Sequence, residues 1–428
     1  MRFIHLAPLV GVCTLALSGA VAAQEVLPTI PVVPLHPAQD EITFKVKTRG
    51  GFGIESSDGM AGFELEGRAA YDVDVFDGLY NLNGHGDSGS ESELRRLRFG
   101  FSGWYTKNWN YSILIDIEDG DRAIDDSVTT IDTAMLQYTG FKYADLTIGR
   151  FKRPVSMEVL TSSNWLSFNE QSFIWELAPA NDIAKFSLMA SKLFEFGGSG
   201  LLYQFAVSDD YQEDLPAKSG SDSHAINARA VYTPWAEKGR VLHFGASYGD
   251  QNPGEAATTR VRSRLGVHGI DRFVLLDTID IDSDRQYALE AALIQGPFSL
   301  QAEYVSRAIG GRSGDPDVDV DGWYLQGTWT LTGEPRGYKR KDGRFDRVDP
   351  KNKDYGAVEL VARAQQGTVS PDGGTEVEAS GYQFGVNWYP LRSIKLMLDY
   401  TTASVDNIDT QDAGDDGNAI TSRIQWVF

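Results

Sequence analysis

The sequence predicts an all-β protein: a transmembrane antiparallel β-barrel of about 16 strands. Three observations point there. Apolar and polar residues alternate with period two, short turns alternate with long polar stretches, and the final strand ends on an aromatic residue.

The alternation is clearest in Tyr111-Ser112-Ile113-Leu114-Ile115-Asp116-Ile117-Glu118. Tyr111, Ile113, Ile115 and Ile117 share one face, and Ser112, Leu114, Asp116 and Glu118 share the other. Successive side chains of a strand point to opposite faces, so this wall offers one face to lipid and one to water. A soluble sandwich alternates too, and the connections distinguish the two. The short turn at 106–108 contrasts with long polar stretches at 118–130, 208–224, 310–322 and 406–418. Short turns on one rim and long loops on the other are the outer-membrane arrangement. Trp104, Tyr105, Trp109 and Tyr111 crowd the turn at 106–108, where an interfacial aromatic girdle belongs. The chain ends Ile424-Gln425-Trp426-Val427-Phe428, with Ile424, Trp426 and Phe428 on one face. This resembles the closing-strand signal read by the outer-membrane assembly machinery. Roughly 390 residues at about 24 per strand and connection give about 16 strands, with about 14 or 18 left open by counting. A barrel of that size holds an aqueous channel, whereas one of about eight strands is filled by side chains.

The segment MRFIHLAPLVGVCTLALSGAVAA (1–23) reads as a secretory signal: one cation, Arg2, then an apolar run from Leu6 to Leu17, then small residues up to cleavage after Ala23. The run is shorter than the roughly 20 residues of a spanning helix. Cys13, the only cysteine, lies inside it, so the exported chain is expected to owe nothing to disulfides. In the tail at 24–40, Pro28, Pro31, Pro34 and Pro37 recur every three residues, the repeat of a polyproline II spacer or docking segment. The barrel is expected over 41–428.

The net charge of −21 becomes −22 once Arg2 is removed. An acidic chain lacks the basic face that nucleic acid requires. No Walker loop, Gly-x-Ser-x-Gly elbow, cysteine nucleophile or HExxH spacing is present. An enzyme, a cofactor and a metal site are therefore not expected. The acidic repeat DPDVDVDG at 315–322 fails as an EF-hand because Thr328 stands at the twelfth position.

The cations are more informative. In an extended Thr259-Arg260-Val261-Arg262-Ser263-Arg264-Leu265, the three arginines point one way and His268 keeps their parity. An arginine facing mid-membrane lipid costs about 2–4 kcal/mol, so these belong in the lumen or in a loop. In a lumen they form a ladder whose rungs grip oxyanions bidentately; in a loop they balance acidic neighbours. A second group is Glu93-Leu94-Arg95-Arg96-Leu97-Arg98-Phe99. Arg96 and Arg98 oppose Leu97 and Phe99 and should face the channel. Arg95 has the wrong parity, which a strand end, a bulge or a subunit interface would each explain. The acidic residues concentrate in the long loops, beyond a Debye length of about 8 Å, where they are largely screened. A negative total therefore does not forbid an anion-selective constriction.

The segments RRLRFGFSGWYTKNW (95–109), IDTAMLQYTGF (131–141), GRF and TSSNW (149–165), TRVRSRLGVHG (259–269), TLTGEPRGYK (330–339) and GVNWY (385–389) occur in an order similar to that of the phosphate-selective porins O and P. This resemblance covers most of the exported chain. It implies a homotrimer of 16-stranded barrels in a Gram-negative outer membrane, contacting membrane lipid and lipopolysaccharide. It also implies a third loop folded into each pore as a constriction, and passive diffusion of phosphate or polyphosphate. By motif, the constriction would hold Arg95, Arg96, Asp132, Ser162 and Ser163, Arg68 matches another arginine of the family, and Arg260, Arg262 and Arg264 match the outer ladder. His268 stands where a further arginine is expected, Val159 replaces a lysine and Gln171 an arginine. Arg98 and Lys152 occupy two positions associated with the choice between phosphate and polyphosphate, and both are expected to offset the missing lysine. The alternatives are a porin that is weakly selective or takes another anion, and a non-transporting binding or structural barrel.

Overall fold

The computed structural model describes residues 44–47, 52–81, 88–117, 130–178, 184–209, 223–254, 257–408 and 415–428. The expected signal segment and proline-rich tail lie outside the described residues, as does most of the acidic stretches at 118–130 and 208–224. The compact unit runs from Ile42 to Phe428.

Sixteen strands close into one antiparallel barrel. Rising strands are β1 (Ala61–Asp77), β3 (Trp109–Asp116), β5 (Asp145–Lys152), β7 (Ser199–Asp209), β9 (Arg240–Asn252), β11 (Phe298–Gly311), β13 (Ala357–Pro371) and β15 (Ile394–Asp406). Descending strands are β2 (Ser88–Tyr105), β4 (Thr130–Tyr138), β6 (Ala184–Phe196), β8 (His224–Glu237), β10 (Phe273–Gln295), β12 (Val318–Thr330), β14 (Val377–Leu391) and β16 (Asp416–Val427). The ring closes where β16 pairs with β1, Trp426 opposite Ala69 and Ile420 opposite Val75. Beyond that ladder, Phe428 and Gly67 exchange backbone bonds of 3.0 and 3.1 Å. A Cβ on Gly67 would sit inside the Phe428 ring, so the seam requires glycine at that position. Two short strands, Phe44–Lys47 and Phe52–Ser56, extend the sheet beside the start of β1.

The barrel is inside-out relative to a soluble protein. Along β14, Tyr382, Phe384, Val386 and Trp388 are exposed while Gln383 and Asn387 between them are buried. Water does not tolerate so continuous an apolar belt, and lipid does. Tyr105 and Trp109 are exposed on the belt, as a girdle requires. Trp104 differs from expectation: its ring covers Gly62 and its indole N–H donates to Gly59 O, because its parity is that of the inner face.

Most turns of the lower rim are short, as at 197–198, 238–239, 296–297 and 392–393. One is not. Residues 331–356 carry a hairpin of Arg336–Lys339 and Arg344–Val348. Phe345 of that hairpin is buried with Met157 and Ile294, and Arg336 donates to Ser167 and to Trp165 O, so the hairpin closes beneath the loop inside the barrel. The stretch 310–322, read above as a long loop, is mostly strand. Only 312–317 connect β11 to β12, because Val318 and Val320 bury at alternate positions and draw Asp319 and Asp321 into the ladder.

The distribution of carboxylates also differs from expectation. Several line the inner wall and are neutralised there, Asp72 by Arg423, Glu290 by Arg229 and Asp284 by Arg307 at 2.6 to 2.7 Å, and Glu158 inside the barrel pairs with Arg363 of the wall at 2.7 Å. Paired inward positions carry the same strand periodicity as any other polar residue, so composition alone does not separate them from loop acids.

Candidate functional site

Residues 153–178 leave β5 and lie across the lumen. They contain two single-turn helices, α1 (Met157–Leu160) and α2 (Ile174–Leu177), and a 3-10 turn at Ser163–Trp165. A buried loop must find partners for its backbone. The far wall supplies them: Lys395 donates to Leu166 O at 2.5 Å, Asn387 to Ser167 O at 2.7 Å, Arg423 to Asn169 O at 2.5 Å and Gln425 to Asn164 O at 3.0 Å. Asp399 accepts from Asn169 N at 2.8 Å. Above this shelf, Val159, Phe173, Ile174 and Leu177 pack with apolar residues of the upper inner wall, among them Val305, Val320, Val369 and Val405. The third loop is thus a fixed shelf held mainly against β11–β16, and side chains of β1 and β2 reach it from the opposite wall.

On that opposite wall, two bulges deliver the key side chains. Ala70 pairs with Arg96 and Asp72 with Glu93, so β2 carries one residue more than β1 between them. The extra residue lets Arg95 and Arg96, adjacent in sequence, both bury on the inner side, while Leu94 and Leu97 stay exposed. This settles the parity of Arg95 in favour of a bulge. A second bulge on β4, between the pairs Leu114–Thr133 and Ile115–Ile131, holds Asp132. Asp132 accepts from Arg98 Nη1 at 2.6 Å, and Asp116 accepts from Arg98 Nε at 2.5 Å.

Arg68 Nη1 reaches across to the shelf, donating to Ser163 Oγ at 2.5 Å and to Asn164 Oδ1 at 2.8 Å. Ser162 instead caps the 3-10 turn, accepting from Asn164 N. Lys152 Nζ donates to Val159 O at 2.7 Å, so an amino group stands beside the backbone of the position whose own side chain is apolar. Gln171 donates to Glu158 O at 3.1 Å and is spent on the loop itself. Glu170 comes from the shelf and meets Arg95 Nε at 2.9 Å, Arg95 Nη2 at 3.2 Å, Arg96 Nη2 at 3.4 Å and Arg423 Nη2 at 2.8 Å. Burial alone would raise its carboxyl, but Arg95, Arg96 and Arg423 outweigh burial and hold it well below the usual carboxylate range. Arg96 Nε and Nη1 and Arg68 Nε are buried with no hydrogen-bond partner among the described residues.

The outer arginines lie on a ribbon, Thr258–Ser263, that pairs with the upper part of β10. Val261, Ser263, Leu265 and Val267 are buried, Arg260 is exposed, and Arg262, Arg264 and His268 are half-buried; the strand itself ends at Ser263. Glu176 of α2 fastens the ribbon to the shelf, accepting from Ser263 Oγ at 2.7 Å and Arg264 N at 2.8 Å. Leu265 and Gly266, at φ of 51° and 92°, turn the chain toward β1 and β2. There Gly269 N donates to Asp74 and His268 Nδ1 lies 2.6 Å from Glu93. Burial and then the Arg95 guanidinium push the His268 imidazole well below its ordinary range, so this contact is a hydrogen bond of a neutral ring. The folded state therefore refuses a proton that the unfolded chain accepts below about pH 6.5, and this part of the stability is lost as pH falls through that value. Between pH 8 and about 6.5, His268 adds no charge to the mouth. His268→Arg should accordingly raise chloride selectivity across that window while His268→Ala leaves it unchanged. Reversal potentials at the two pH values check this.

A family model described as "Phosphate-selective porin O and P" matches residues 63–428. The chain belongs to this family. Porin O of Pseudomonas aeruginosa is 30% identical over 443 residues, which cover 96% of this chain and 97% of that protein. Among solved structures, an anion-selective porin from Comamonas acidovorans has a TM-score of 0.56 at 12% identity, covering 86% of this chain and 100% of that one. The trimer form of in-vitro folded OmpT from Vibrio cholerae has a TM-score of 0.54 at 9% identity, covering 86% of this chain and 99% of that one. The protein is an outer-membrane porin of a Gram-negative bacterium, a multi-pass β-barrel channel.

Several residues of the porin's constriction have no visible signal in the sequence. Glu170 sits in an aperiodic loop, and its three arginine partners come from β2 and β16. Asp116 was readable as inward from its alternation, but its hold on Arg98 was not. The wall residues Arg423, Asn387 and Lys395 occupy ordinary inward positions, and only the path of the third loop gives them a task.

Proposed function

We propose that this porin passes small anions of the phosphate class, inorganic phosphate and polyphosphate, by passive diffusion. The observation that carries the reading is the set of partnerless N–H groups on Arg96 and Arg68 at the constriction. A buried guanidinium N–H without an acceptor is costly, and an oxyanion in transit supplies the acceptor. Arg260, Arg262 and Arg264 collect anions at the mouth; Arg68, Arg95, Arg96, Arg98 and Lys152, with Asp132, Ser162 and Ser163, form the central site. Weak sites in series replace the hydration shell and let the ion leave again. In this reading 1–23 directs export, 24–40 is a spacer ahead of the barrel, and three copies assemble in the membrane.

Titrating inorganic phosphate into a chloride current through planar bilayers tests the proposal. Block by low phosphate is expected. Chloride selectivity without block would favour a weakly selective anion porin, a reading with its own observation: Asp116, Asp132 and Glu170 already hold Arg98 and Arg95. The two cations expected to replace the missing lysine are separable in the same assay. Lys152→Ala removes the amino group beside Val159 O. Arg98→Ala also leaves Asp116 and Asp132 unneutralised, and it should lower chloride selectivity more than Lys152→Ala does. Equal selectivity of both variants and the unaltered porin would remove these residues from the site.

A further inference from the structure

We propose that Glu170 is the specificity-determining residue of the constriction: a tethered carboxylate that occupies the guanidinium seat and must be displaced by each oxyanion that binds there. The inference rests on the anion-channel reading above and deepens it. The carboxylate meets Arg95 through both oxygens, Arg96 through one and Arg423 through the other, which is how a carboxylate or phosphate ligand would sit among three guanidinium groups. Its side chain remains 18% exposed, so it borders open lumen.

Anchoring the loop does not require this side chain. The backbone of the preceding residue, Asn169, is held from both sides, by Asp399 and by Arg423. Leu166 and Ser167 are pinned by Lys395 and Asn387. Arg423 has its own counter-ion in Asp72, through two contacts of 2.6 Å. Without Glu170, Arg95, Arg96 and Arg423 would lose the carboxylate they share, and the vacated seat would be positive and receptive to an anion. Glu170 thus divides the constriction in two. One seat is filled by the protein itself, on Arg95 and Arg96. The other is the partnerless edge of Arg96 and Arg68. A self-filled seat keeps phosphate affinity low and throughput high, because the returning carboxylate helps each bound anion to leave.

The test uses the purified, full-length exported porin in planar bilayers with potassium chloride, titrated with inorganic phosphate, comparing the unaltered protein with Glu170→Gln. The amide keeps the size and loses the charge. Half-block should occur at a phosphate concentration at least about tenfold lower in the variant, the gain expected from freeing one charge-assisted guanidinium contact. The chloride reversal potential should also grow. Glu170→Asp, which retracts the charge, should fall between the two, and it carries the test by itself where the glutamine variant does not fold. Half-block within about twofold of the unaltered protein, in a variant that is folded and still anion-selective, would overturn the proposal and leave the anion channel intact. Cation selectivity of the unaltered porin would instead overturn the anion-channel reading.

Discussion

Arg363→Met is expected to loosen the third loop and widen the pore. Arg363 is buried in the lumen wall of β13 and holds the loop through Glu158, at 2.7 Å, and Glu170 O, at 3.3 Å. It also donates to Gln326 and Gln383, and its guanidinium lies over the rings of Phe168 and Tyr324. Removing one partner of a buried pair costs about 3–5 kcal/mol, because the other charge is left without compensation. Burial already pushes the Glu158 carboxyl up from its ordinary range, with Arg363 acting against that shift. In the variant the carboxyl must take up a proton or pull the loop toward water. Single-channel conductance should rise and become noisy, and the folded barrel should unfold at a lower temperature in detergent. An unchanged conductance together with an unchanged melting temperature would show that Arg363 does not hold the loop.

Arg96→Ala should weaken phosphate block about ten- to hundredfold, the equivalent of the roughly 1.5–3 kcal/mol carried by hydrogen bonds to a charged group. Arg96 is the constriction arginine with most to offer: Nη2 touches Glu170 at 3.4 Å, and Nε and Nη1 have no partner among the described residues. Arg96→Lys keeps the charge without the planar fork, and it should retain chloride selectivity while losing most of the block. That split separates bidentate grip from mere field strength. Block of equal strength in all three proteins would place the phosphate site elsewhere in the pore.

The barrel itself was legible because alternation repeats along every strand and survives local irregularity. Tyr111 to Ile117 and the final Ile424 to Phe428 carry it plainly. The constriction was legible only in part. Arg96 and Arg98 follow strand parity, and Arg260 and Arg262 flank the buried Val261 on the ribbon, which ends before Arg264. Arg95 and Asp132 break it, since each depends on a bulge, and a bulge is a mismatch between two strands rather than a pattern in one. Glu170 lies in a loop without periodicity, and its meaning comes from β2 and β16, which are distant in sequence. The inward carboxylates were misread as loop charge for a related reason: their neutralising arginines sit on neighbouring strands, where composition does not reveal the pairing. His268 follows the arginines in sequence, yet burial and the nearby Arg95 guanidinium remove its charge.

The most direct measurement is the reversal potential of the purified porin in a planar bilayer under a potassium chloride gradient. A potential of the sign set by chloride is predicted, since Arg96 and Arg68 keep buried N–H groups with no hydrogen-bond partner among the described residues. A potential of the sign set by potassium would contradict it, and would mean that the acidic residues govern the pore.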